Sequence, residues 1–344
     1  MALTTELAPA LARPRRAVRR RPTRRPRIAT AVGVLGLAWF TIEGYLSLGD
    51  LASGPGGFAT ALGTLLAMVG TYLAALVLVL ASRLPWLERS MGHDKMIGWH
   101  RKLAPYSLFI IGGHVLFTTL GYSQRRGVSL VDRFLDLVLN FPWMLPALVG
   151  FVLMVALGVS SYRRVRSKVK YETWSTSHLY FYVAVIISFG HQIESSSALA
   201  SLPALKFSWI ALFASVASAL IYGRVIRPVV FSLRHQLRVD RVVEEAAGTY
   251  SVYLTGRNLA KVSALGGQFF MWRFATRDWW WQAHPYSLSA APNDEWLRIT
   301  VKALGDQSGS LASLRPGTRV FAEGPYGVFT SASLTGERVA LFNI

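Results

Sequence analysis

The chain has 344 residues, of which 52% are hydrophobic and only 16% charged, and its formal net charge is +19. An ordinary soluble domain carries roughly 25% charged residues, so this deficit points to lipid. Nine arginines stand before residue 28 and most other basic residues flank apolar runs. That distribution follows membrane topology and excludes a nucleic-acid footprint, and the lack of cysteine excludes disulfides, thiolate iron–sulfur clusters and cysteine nucleophiles.

The opening, 1–27, reads as a basic cytoplasmic tail rich in Arg and Pro. The apolar run 28–48 is long for a signal-peptide core and has no clear small-residue cleavage site after it, so it reads as a retained anchor. A bilayer is spanned by about 20 mostly apolar residues. Six segments meet or approach that length: 28–48, 59–81, 100–122, 141–161, 175–194 and 206–224. They predict an all-α six-helix membrane bundle over 28–224. With six spans, four basic groups fall on one side: the tail, Arg83 to Lys102, Arg163 to Lys170, and Arg224 with Arg227. Arg125, Arg126 and Arg133 on the other side dilute the contrast. The excess predicts a multi-pass protein of the cell membrane with both termini cytoplasmic.

The third and fifth predicted spans carry histidines. His100 and His114 are 14 apart, and His178 and His191 are 13 apart. At about 1.5 Å per residue each pair is separated by roughly 20 Å along the bilayer normal. The two helices run the same way, so His100 shares a level with His178, and His114 with His191. Two imidazoles at each of two depths is what two bis-histidine b-type haems need. A lone histidine in a span is accounted for by a hydrogen bond between helices, but four at matched depths fit ligation better. One feature resists simple geometry. At about 100° per residue, 13 steps leave His191 some 140° round the helix from His178, and Gly190 is a candidate point of distortion. His93 and His235 read as solvated loop residues. Arg101, Lys102 and Lys170 lie near the inner level, where they either pair with haem propionates or only set topology.

Two spans with these histidine spacings resemble the ferric reductase transmembrane domain, shared by NADPH oxidases and by iron and copper reductases. The resemblance implies that His100 and His178 hold the inner haem, and His114 and His191 the outer one.

Residues 225–237 read as a linker. Beyond it come short alternating runs at 250–254, 268–274 and 297–301, separated by turn clusters. They predict a small antiparallel β-barrel over 238–335. His284-Pro285-Tyr286-Ser287 forms a rigid extended segment that presents an aromatic ring and a hydroxyl together, suited to isoalloxazine, although taken alone it is more commonly explained as an aromatic strand packing a barrel. Ser308 reads as the N-cap of a short helix. Glu323-Gly324-Pro325-Tyr326-Gly327 reads as a tight turn. In this order the three elements resemble the FAD-binding barrel of the ferredoxin reductase superfamily, in the version attached to ferric reductases. The resemblance implies that Tyr286 packs on the flavin, that Ser287 bonds near its N5, that the 302–310 region, with Lys302 and Ser308, holds the phosphates, and that His284, Pro285, Gly324 and Tyr326 complete the site.

Residues 336–344 look like the first strand of a nicotinamide-binding domain, and no glycine-rich turn follows it. NAD(P)H therefore enters as donor only if a partner or the missing domain supplies its site. The expectation is a transmembrane oxidoreductase of ferric reductase or NADPH oxidase type with FAD and two haem b groups. Its outer acceptor is a ferric or cupric chelate, oxygen or a quinone. Two other readings stay open: a truncated, non-enzymatic haem-binding membrane protein, and a membrane subunit reduced by a soluble donor protein docking on the basic cytoplasmic face. Membrane lipid surrounds the bundle in every case.

Overall fold

The computed structural model describes residues 25–169, 171–277, 280–327 and 330. The expected basic tail up to residue 24, Lys170, Trp279, the end of the expected barrel domain beyond 330 and the expected strand 336–344 lie outside the described residues.

The first apolar runs form α1 (Arg25–Leu46), α2 (Gly57–Ala81), the short α3 (Pro85–Met91) and α4 (His93–Arg126). The last of these is longer at both ends than the span 100–122, and Gly127, with φ 65°, ends it. α2 and α4 pack closely because small residues line the contact. A Cβ on Gly63 would stand 2.7 Å from the Thr118 nitrogen, and one on Gly121 2.6 Å from that of Thr60. α5 (Leu130–Asn140) and α6 (Met144–Ser160) follow, turned by 109° across a three-residue break at Pro142. Next come α7 (Arg163–Arg166), α8 (Tyr171–His178), α9 (Tyr180–Glu194), α10 (Ser197–Ser201), α11 (Pro203–Ile221) and α12 (Arg227–His235).

Among the described residues, four helices are long and apolar enough to cross a membrane, or five if α5 and α6 together make one span. The count of six is not reached among the described residues, and the departure falls at the fifth predicted span. It breaks at Leu179, where Leu179 N–H bonds Thr176 O and Tyr182 N–H bonds Leu179 O, both three residues back. The preceding Ser175-Thr176-Ser177 run explains the break, since Ser and Thr side chains compete for helix carbonyls. Ser177 Oγ donates to Trp174 O. The expected linker 225–237 is helical over most of its length. α11 runs through a π-helical turn, Tyr222–Ile226, straight into α12. Pro228 has no N–H and crowds the carbonyl four residues before it, which accounts for the widened turn.

The second half contains β1 (Arg238–Ala246), β2 (Thr249–Thr255), β3 (Phe269–Phe274), β4 (His284–Ser287), β5 (Leu297–Lys302), α13 (Asp306–Ser310) and β6 (Val320–Tyr326). The strands form two three-stranded antiparallel sheets, ordered β1-β2-β5 and β4-β3-β6. They enclose one core that includes Val252, Leu254, Phe270, Trp272, Leu297 and Ile299. Among the described residues the strands do not close into the expected barrel. Among the described residues the sheets meet through an isolated bridge, Arg238 to Arg319, and through bonds such as Val239 N–H to Thr318 O and Ser289 N–H to Arg298 O. β4 has four residues, one of them Pro285 with no ladder donor, so its pairing ends early.

Candidate functional site

The four histidines converge in two pairs. The ring centres of His100 and His178 stand 6.2 Å apart, at 61° between planes. His114 and His191 line one cavity of about 210 Å³ with Thr64, Phe151 and Gln192, and they lie within electrostatic reach of each other. The interruption at Leu179 separates His178 from the helix that carries His191, so the 13-residue interval does not oblige both rings to share a face. The distortion therefore sits at Leu179 and not at Gly190. Gly190 serves packing, because a Cβ there would stand 2.5 Å from the Trp143 ring.

Each ring is held through Nδ1. His100 Nδ1 bonds Val77 O at 3.0 Å, His114 Nδ1 bonds Gly63 O at 2.9 Å, and His191 Nδ1 bonds Ser188 O at 2.5 Å. A carbonyl only accepts, so in these three rings Nδ1 carries the proton and Nε2 keeps its lone pair. Val77 and Gly63 are 14 residues apart on α2, as His100 and His114 are on the antiparallel α4. His178 Nδ1 meets Ser161 Oγ at 3.3 Å.

This donor set fits haem. Two imidazoles bound through Nε2 to one metal, at about 2.0 Å each, place their ring centres roughly 6 Å apart, close to the separation at the inner pair. Among the described residues no group of three or more His, Asp or Glu could hold a bare metal ion. A macrocycle-bound iron needs only two axial ligands. Arg101 and Lys102 are exposed, and Lys102 lies over the Trp99 ring. Arg224, absent from the sequence-based site, is within electrostatic reach of both His100 and His178 and donates to Ala81 O at 2.9 Å.

In the second half, His284 and Tyr286 share one face of β4, with stacked rings 6.2 Å apart. Pro285 and Ser287 face out and are exposed. Tyr286 packs against the core, and burial pushes its phenol above the ordinary range. Lys302 ends β5, on the other sheet. Ser308 is not an N-cap: Gly305 holds that position, and Ser308 Oγ accepts from the Leu304 and Gly305 N–H groups. The expected turn at Glu323–Gly327 is largely strand, because β6 runs to Tyr326. There Gly324 lets the strand approach Phe270, whose ring a Cβ would meet at 2.7 Å.

β6 also forms the seam with the helical half. Arg83 Nη1 donates to Glu323 Oε1 at 2.6 Å, and the Tyr326 hydroxyl donates to the same oxygen at 2.5 Å. Arg227 Nη2 donates to Gly324 O at 3.0 Å, while its Nη1 is buried without a partner. His93 stacks on Tyr326 at 5.6 Å and bonds Glu88, so it is no solvated loop residue. His235 is likewise buried, bonded to Arg257 O and packed on Phe231. Burial alone would raise the Glu323 carboxyl, but Arg83, Tyr326 and Arg224 hold it below the usual carboxylate range. Burial and the Glu323 charge push the Tyr326 phenol up. Sequence reading missed Arg83, Glu323 as an ion-pair partner, and Arg227. Their only signal was a charged residue beside the end of a span or strand.

Comparison with known proteins gives two family matches. Residues 66–189 match the ferric reductase like transmembrane component and residues 248–330 match an FAD-binding domain. The first includes His100, His114 and His178 and stops two residues short of His191; the second includes His284 to Ser287 and Tyr326. No curated protein matches the chain. Among solved structures, a flavohemoglobin from Malassezia yamatoensis with bound FAD and heme is similar at 13% identity and a TM-score of 0.30, over 77% of this chain and 62% of that one. The chain thus spans under two thirds of that protein, and so slight a likeness carries no argument. The two family matches stand in this order on one chain, a ferric reductase-like transmembrane component followed by an FAD-binding domain.

Proposed function

We propose that the protein moves electrons from FAD on the cytoplasmic side to an acceptor on the outer side, with two b haems held by His100 with His178 and by His114 with His191. The acceptor class is a ferric or cupric chelate, oxygen or a quinone. The observation that carries the reading is the inner pair: two rings 6.2 Å apart, of which His100 has Nδ1 spent on a carbonyl. When bound, FAD would supply the change from two-electron to one-electron chemistry and haem would supply one-electron transfer.

The chain's own residues do the rest. The α2 carbonyls at Val77 and Gly63 fix the tautomer and plane of His100 and His114. Arg224 and Arg227 give the inner face buried positive charge, with Arg227 Nη1 unspent, which suits the acidic groups of a bound cofactor. His284, Pro285, Tyr286 and Ser287 would hold the flavin ring, and Gly324 and Tyr326 support that sheet. Lys302 and the 304–308 turn would meet phosphate.

The test is a dithionite-reduced minus oxidised spectrum of the chain in membranes supplied with haem, for the parent and for His100→Ala, His114→Ala, His178→Ala and His191→Ala. A sharp low-spin b-type signal, weakened by each substitution, is expected. A folded parent without that signal overturns the two-haem reading and leaves a membrane flavoprotein whose histidines are structural. A second reading, reduction by a soluble donor protein, is favoured by the exposed Arg89, Lys95, Arg101 and Lys102 on one face.

A further inference from the structure

Ser161 follows α6 beside the inner histidine pair, and three hydrogen bonds converge on its hydroxyl. Its proton goes to Leu157 O at 2.9 Å. Trp174 Nε1, which can only donate, reaches the oxygen at 3.1 Å. His178 Nδ1 reaches it at 3.3 Å. A hydroxyl has one proton and two lone pairs. The shortest bond uses the proton and Trp174 uses one lone pair, so toward His178 the oxygen can only accept.

We infer that Ser161 is a positioning residue for the inner haem. It holds His178 in the Nδ1–H tautomer and so leaves the Nε2 lone pair for iron. The inference rests on the two-haem reading and adds the side chain that selects the ligand at one level. The other three rings meet backbone carbonyls, which no side-chain substitution removes; Thr118 Oγ1 also reaches His114 Nδ1, at 3.1 Å, beside the Gly63 carbonyl. His178 differs because it ends the eight-residue α8, and the Nδ1 partner it finds is a side chain on the neighbouring helix. Trp174, whose ring centre is 5.1 Å from that of His178, and Phe181, at 5.0 Å, hold the ring from its other sides.

The test compares the parent with Ser161→Ala and Ser161→Thr in membranes supplied with haem. The readouts are haem per chain and the low-spin spectrum of each level. Loss of such an outer partner weakens metal retention about 10- to 100-fold. Ser161→Ala is therefore expected to lose the inner haem selectively, with the outer signal kept, and Ser161→Thr to restore it. If Ser161→Ala does not insert, Ser161→Cys, similar in size and a weaker acceptor, is expected to change the inner spectrum in the same direction. The inference is overturned if the substituted protein keeps the parent's spectrum and haem content. It is equally overturned if both levels are lost together, which would make Ser161 a helix cap alone. A parent with no low-spin signal refutes the two-haem reading itself, before any variant is compared.

Discussion

Glu323 is the residue on which the two halves turn. Its buried oxygen accepts from both Arg83 and Tyr326. Glu323→Gln would leave the Arg83 guanidinium buried without its counter-charge, at a cost of about 3–5 kcal/mol. The pH dependence follows from the depressed carboxyl. A depressed folded pKa adds stability above the ordinary carboxylate value, about 4.3, and that stability is lost as pH falls through the lower folded value. The raised Tyr326 works at the other end: its contribution is full below about pH 10 and is lost as pH rises further. Thermal midpoints of the solubilised protein across pH should show the Glu323 acid limb in the parent and not in Glu323→Gln. An identical limb in both would detach Glu323 from the seam. Nothing at the level of sequence marked this pair, because its members are 240 positions apart and each looks like an ordinary charge near an element end.

Between elements, the contact that matters is α2 on α4. Gly63 has no room for a side chain against Thr118, and its carbonyl is the partner of His114. Gly63→Val should push the helices apart, at about 1–3 kcal/mol for overpacking, and lower the outer-level haem signal before the inner one. Equal loss at both levels, or none, would refute that local account. This part was legible beforehand in its main lines. The runs 59–81 and 100–122 became α2 and α4 because long apolar stretches leave few alternatives in lipid. The histidine levels were readable because helical rise converts spacing into depth. The break at Leu179 was not readable, because polar side chains bonding back to the helix act over three or four residues and leave overall hydropathy unchanged. The sheet split was hidden for a similar reason. Alternation identifies strands such as Phe269–Phe274, but whether edge strands close on each other depends on β4 being short and on Pro285 in its ladder. Ser308 was placed in the right turn and given the wrong position, since a serine at the third residue of a helix can reach back to the N-cap N–H, whereas an N-cap side chain reaches forward to the second or third helical N–H.

For the molecule as a whole, a run of exposed positive charge lies along α3 and the start of α4, the stretch that also carries His93 of the seam: Arg89, Lys95, Arg101 and Lys102. If an acidic soluble donor docks there, raising salt to about 0.5 M should slow its reduction of the protein several-fold, because screening lengths fall to a few ångströms. A rate unaffected by salt would remove the steering argument. The two halves are also joined without slack. The helix that begins at Pro203 continues through the π-helical turn to His235, and Arg224 and Arg227 fasten it to α2 and to β6 on the way. A rod of 33 residues is about 50 Å long, more than the hydrocarbon thickness of a bilayer. Its tilt is therefore set in part by the thickness of the lipid around it. Because the β-sheet half is fastened to the protruding end, a thinner or thicker bilayer would shift the lever on which that half sits. On the electron path proposed above, the lipid would then act as a mechanical adjustment of the gap between the flavin and the nearer histidine pair.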